Sequence, residues 1–129
     1  FHGKVIHDKV IKLLKNAHIF CYPTSASEGF PKVVLEAMAT GLPVITTPVS
    51  VLSQLIGESN GVLLDEPEPT ALARAIVELC SDHLRYRTLS ANAIEKAKEF
   101  TLESWRELIG KKLSTTWNVK SLRELENVN

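Results

Sequence analysis

A chain of 129 residues is long enough for one domain with an apolar core and too short for two domains of ordinary size. Hydrophobic residues make up 44% and charged residues 23%, near the average of folded globular chains rather than disordered ones, and no apolar run approaches the roughly 20 residues that a bilayer span needs. Fifteen basic and fifteen acidic residues cancel, removing the attraction that drives nonspecific binding to nucleic acid, so no nucleic-acid partner is expected.

The first residues, Phe1 to Val5, start without Met and without a helix cap, so the chain reads as a fragment cut inside an element. Lys9 to Ala17 sets Val10, Leu13, Leu14 and Ala17 at helical spacing behind Asp8, a first-turn acid or cap. His18 to Tyr22 is apolar, aromatic and stopped by Pro23, which predicts a strand buried on both faces. A polar loop follows over Thr24 to Glu28. Lys32 to Thr40 reads as a helix, with Pro31 at its start and Gly41 just past its end. Pro43 to Thr47 and Gly61 to Leu64 are further strands, with a small helix near Leu52 to Ile56 between them. Asp65 to Pro69 links to a helix from about Thr70 with a stripe of Leu72, Ile76, Leu79 and Cys80, and another helix spans Leu84 to Phe100. Thr101 caps a final helix with Trp105, Leu108, Ile109 and Lys112 on one face, extended by Leu113 and Trp117. Cys21 and Cys80 lie in apolar segments without metal-site or disulfide spacing and are expected to be reduced and buried.

Alternating strands and helices predict an α/β fold, a Rossmann-like parallel sheet with flanking helices. In such sheets ligands gather at the C-terminal ends of the strands, here the loop after Tyr22. That loop opens the segment Ser27-Glu28-Gly29-Phe30-Pro31-Lys32-Val33-Val34-Leu35-Glu36-Ala37-Met38-Ala39. Glu28 falls in the loop, and Glu36 falls roughly 8 Å further along the helix axis. The first-turn amides, presented by Lys32 and Val33, form a site for an anion such as phosphate. Carboxylates on either side suit a ligand with hydroxyls at both ends, the layout of a nucleotide sugar. The same spacing also fits an unremarkable surface helix. Val33, Val34, Ala37 and Met38 make its apolar face, Lys32 and Glu36 form an exposed i,i+4 pair, and Glu28 merely favours the dipole. Spacing alone leaves both readings open.

The run from Glu28 to Thr47, EGFPKVVLEAMATGLPVITT, resembles the EX7E signature of retaining GT-B glycosyltransferases of the group 1, or family 4, type. Phe1-His2-Gly3-Lys4-Val5 and Asn60-Gly61-Val62-Leu63-Leu64 are similar to other segments of that family. The likeness extends to about Phe100. It implies part of the C-terminal, donor-binding domain over 1–100, with a C-terminal helix and tail over 101–129. Glu28 would hold the donor sugar and serve as the catalytic acidic residue, and Glu36 would bind the ribose hydroxyls. Gly29, Phe30, Pro31, Lys32 and Val33 would contact sugar and diphosphate, with Val5 beside the base. Pro31 and Lys32 stand where many members carry glycine and an apolar residue, and a proline cannot donate a backbone hydrogen bond.

The implied reaction moves a sugar from a nucleoside diphosphate to a glycan or lipid acceptor with retention, without metal or cofactor. The diphosphate-neutralising Arg and Lys, the acceptor site and a mechanistic His would come from parts of the enzyme outside this chain, including an N-terminal domain. Any membrane association would run through that domain, and a cytoplasmic location is expected. Alternatives are a non-catalytic nucleotide-binding module and a nucleotide-sugar epimerase. His2, His7, His18 and His83 lack metal-ligand spacing and are expected in surface or core roles. Trp105 is expected in the core and Trp117 against the N-terminal domain.

Overall fold

A computed structural model describes residues 2–27 and 29–117, and of Thr116 and Trp117 the backbone only. It contains two compact units, Phe1–Ala97 and a second beginning at Lys98.

In the first unit, helix α1 (His7–Asn16) carries Asp8 in its first turn and Lys15 in its last, charges that match the helix dipole. Strand β1 (Phe20–Tyr22) leads through a loop to α2 (Lys32–Ala39), then β2 (Val44–Thr46), the short α3 (Leu52–Leu55) and β3 (Gly61–Leu63). The strands form one parallel sheet in the order β1-β2-β3, with Phe20 opposite Val44 and Val44 opposite Gly61. Central β2 is wholly buried, as a β-branched strand covered on both faces should be.

Helices α4 (Pro69–Ser81) and α5 (His83–Lys98) complete the unit. Ile45, Leu64, Ala75, Leu79 and Leu89 make one cluster, with Ile19, Val62, Leu72 and Tyr86 packed around it. Strand alternation turns Val44 and Thr46 away from that cluster. Helix α2 packs on β1 and β2, and buries Val34, Ala37 and Met38 completely. Each large side chain so buried contributes roughly 1.5–3 kcal/mol relative to exposure. Val33, expected with them, is only half-buried.

Two glycines are required by their surroundings. Gly41 has φ of +81° at the end of α2, where its N–H donates to Met38 O at 2.9 Å and that of Leu42 to Ala37 O at 3.1 Å. This bond pair closes the helix and satisfies its last carbonyls. At Gly61 a Cβ would lie 2.6 Å from Ile56 Cγ2 and 2.7 Å from the carbonyl oxygen of Val44, so β3 can approach β2 and α3 only with glycine there. Asn60, 5% exposed, supports that turn by accepting from Gly57 N at 2.7 Å and donating to Leu55 O at 2.9 Å.

The second unit holds α6 (Leu102–Trp117). Thr101 caps it as expected, its hydroxyl oxygen accepting the Ser104 N–H at 3.2 Å.

Three expectations are corrected. Strand β1 is not buried on both faces: it is the outer strand of the described sheet, and the α4–α5 layer that covers Ile45 leaves the neighbouring Cys21 exposed. Cys80 is exposed as well. The inward line of α4 runs through Ala75 and Leu79, four apart, and Cys80 lies about 100° further round the helix. Trp105 is 44% exposed rather than core, one of several exposed apolar residues on α6. The expectation for Trp117 concerns a side chain outside the described residues.

Candidate functional site

The C-terminal ends of β1 and β2 are joined by side chains. The Thr46 hydroxyl donates to Tyr22 O at 2.7 Å. That of Thr47 accepts the Thr24 N–H at 3.0 Å and donates to the Thr24 carbonyl. Thr24 Oγ1 in turn accepts the Ala26 N–H at 3.1 Å. A polar loop thus leaves a three-residue strand with its backbone groups satisfied by two buried threonines of the next strand's end. Beside it lies a shallow cleft of about 190 Å³, open to solvent and lined by Tyr22, Thr24, Gly29, Pro31, Val49 and Leu52 among others.

Helix α2 begins at the rim of the cleft. Buried Pro31 is its N-cap residue and provides no side-chain cap. The first ladder bonds run from Val34 N and Leu35 N to Pro31 O, at 3.0 and 3.4 Å, so the helical ladder does not employ the amides of Lys32 and Val33. A helix start of this kind favours an anion.

One turn on, Glu36 is 16% exposed at its side chain. Its Oε1 meets His7 Nε2 at 2.8 Å and Lys32 Nζ at 3.7 Å. An ionised carboxylate only accepts, so His7 donates through a protonated Nε2. Lys32 is 80% exposed, and the Lys-before-Glu order on a helix is the weaker one, so that pair is worth only about 0.3 kcal/mol. The expected i,i+4 contact is therefore present, but it is not the main contact of Glu36.

Val5, half-buried, directly precedes Ile6 and the start of α1. Gly29 and Pro31 border the cleft, Phe30 is 48% exposed, and Val33 is half-buried at the first turn. Glu28 lies outside the described residues. His7 lies on the surface, within the expected roles, but spacing does not foreshadow its contact with Glu36: the two stand 29 positions apart, and the packing of α1 on α2 brings them together. His18 contributes its backbone oxygen, which accepts the Tyr86 hydroxyl at 2.7 Å. Partial burial pushes the Cys21 thiol above its ordinary pKa although the residue is exposed overall. Among the described residues no three His, Cys, Asp or Glu side chains gather as a metal site would, and no helix is long and apolar enough to cross a membrane.

A parallel sheet flanked by helices, with its candidate site at the carboxyl ends of the strands, is the Rossmann-like architecture of GT-B glycosyltransferases. The chain belongs to the family of glycosyl transferases group 1, whose profile matches residues 1–100. It is 33% identical over 102 residues to an uncharacterised glycosyltransferase of Methanocaldococcus jannaschii, covering 78% of this chain and 29% of that protein. It is 32% identical over 98 residues to the D-inositol 3-phosphate glycosyltransferase of Corynebacterium urealyticum, covering 75% of this chain and 23% of that one. Among solved structures, sucrose-phosphate synthase from Thermosynechococcus elongatus superposes with a TM-score of 0.77 at 30% identity, over 93% of this chain and 30% of that one. Anabaena HepE in complex with UDP-glucose superposes with a TM-score of 0.72 at 26% identity, over 82% of this chain and 30% of that one. The chain thus spans under a third of each protein it matches here.

Proposed function

We propose that this chain is the donor-binding part of a longer retaining glycosyltransferase, which transfers a sugar from a nucleoside diphosphate to a glycan or lipid acceptor. The observation that carries the reading is Glu36. It is a largely covered carboxylate, one turn inside a helix whose start favours an anion, in a segment that resembles the EX7E signature. At 1.5 Å per residue the carboxylate's backbone lies about 6 Å along the axis from Lys32, so diphosphate at the helix start and ribose at Glu36 fit one extended ligand. HepE, similar in fold and sequence, binds UDP-glucose.

In this reading residues 1–100 form the C-terminal part of the donor domain and 101–129 its C-terminal helix and tail. Glu28 holds the donor sugar's hydroxyls. The amides beside Pro31 receive the diphosphate, and Pro31 itself, without an N–H, contributes none. Val5 lies by the base. A separate N-terminal domain binds the acceptor and mediates any membrane contact, and cationic groups outside this chain complete the diphosphate site. Leaving-group departure requires no metal, and the enzyme works in the cytoplasm.

Calorimetric titration of the full-length protein with UDP-, GDP- and ADP-sugars tests the proposal. One nucleotide class should bind, and Glu36→Ala should weaken it about 10- to 100-fold, as expected for hydrogen bonds to a charged group. Glu28→Ala should lower transfer more than nucleoside diphosphate binding. Wild-type kinetics in both variants would sink the site assignment.

A further inference from the structure

Nothing in the family resemblance assigns a role to His7. Its contact with Glu36 is nevertheless the shorter and more directional of the two that the carboxylate makes. The terminal torsion of a glutamate is broad, so a carboxylate anchored only through its own helix presents its oxygens in many orientations. Lys32, exposed and at 3.7 Å, adds charge but little direction. The His7 imidazole, on a different helix and at 2.8 Å, fixes one oxygen relative to two packed elements.

We propose that His7 is a positioning residue: it orients the Glu36 carboxylate to receive the paired ribose hydroxyls of a nucleoside diphosphate. This rests on the reading of Glu36 as the ribose acceptor. Both contacts fall on Oε1 and neither uses the lone pairs of Oε2. Lys32, 80% exposed and at 3.7 Å, can give way to an arriving hydroxyl, which gives the diol one acceptor position on each oxygen. His7 itself touches no ligand atom in this scheme. Its contribution is to reduce the ordering that binding would otherwise require, an effect of about three- to tenfold in affinity for one immobilised side chain.

The side chain of His7 is 59% exposed at the start of α1, so replacing it should leave the fold intact, which a thermal melt checks. The full-length protein is titrated with UDP, GDP and ADP and with their 2′,3′-dideoxy counterparts, as wild type, His7→Ala, His7→Gln and Glu36→Ala. His7→Ala should weaken the ribonucleotide about three- to tenfold and leave the dideoxy nucleotide unchanged, and His7→Gln, whose amide N–H can reach the same oxygen, should restore most of the loss. Equal loss for both nucleotides would reveal a merely structural His7 and overturn the inference. So would no loss, or a His7→Gln variant that behaves like His7→Ala. If Glu36→Ala keeps the preference for ribose, or if the wild type binds none of the three diphosphates, the reading of the site falls and this inference with it. If Glu36→Ala loses that preference and His7→Ala does not, only the positioning role falls.

Discussion

The hydroxyl of Thr47 serves both backbone groups of Thr24 from a position that is 1% exposed. Thr47→Val keeps the shape and removes the donor and acceptor together, leaving the Thr24 N–H and C=O without that partner in a part-buried site. The cost should be about 1–3 kcal/mol by chemical denaturation, and Thr47→Ser should recover most of it. Retention of full stability in the valine variant would show that this tie does not hold the loop. Cys21 gives a prediction in pH. Desolvation favours the neutral thiol, so at a given pH less thiolate is present than in free cysteine, and thiolate is the form that reacts. With Cys80→Ser as background, alkylation of Cys21 should be slower than that of free cysteine near pH 8, and its rate should rise over a more alkaline range. A rate equal to or above that of free cysteine would contradict the shift.

The C-terminal closure of α2 depends on one glycine and on a neighbouring helix. Gly41 lets the chain reverse from α2 into β2 with φ of +81°, and a Cβ there would also meet Ile94 Cδ1 at 3.2 Å and Ser90 Oγ at 3.3 Å. Ser90 donates to the Gly41 carbonyl at 2.7 Å, so the turn is held by α5. Gly41→Ala should destabilise the chain by about 1–2 kcal/mol from the left-handed conformation alone, and more if Ile94 cannot move. A denaturation midpoint equal to wild type would mean that the turn readjusts freely. Such local signals are what made this part legible beforehand. Pro31 and Gly41 bracket α2 in sequence as they do in space, and β2 appears as a β-branched run between turn residues. What sequence did not reveal depended on layers. The exposure of Cys21 follows from β1 being an outer strand, and that of Cys80 from the direction in which α4 faces the sheet. The contact of His7 with Glu36 needs α1 and α2 already packed. Periodicity along one element carries no information about which neighbour covers it.

At the scale of the whole chain, every buried apolar residue among those described lies before Ala97, whereas α6 has none. Instead α6 carries Leu102, Trp105, Leu108, Ile109 and Leu113, exposed by 41 to 78%. At 100° per residue they span an arc of about 140°, in which the polar positions Lys112 and Thr116 also fall. An amphipathic stripe at this spacing is the pattern of a helix that buries one face, and an uncovered apolar patch promotes association. The 129-residue chain by itself should therefore self-associate as its concentration rises, visible as a growing sedimentation coefficient. The double substitution Ile109→Lys with Leu113→Lys places two charges on the stripe at exposed helical positions. It should restore a concentration-independent coefficient, with a change in unfolding free energy of no more than about 0.5 kcal/mol, because surface changes away from caps and cores rarely cost more. If the double variant instead lowered stability by several kcal/mol, the stripe would be packed in solution rather than free to associate. If association were unchanged, it would arise on another face of the chain.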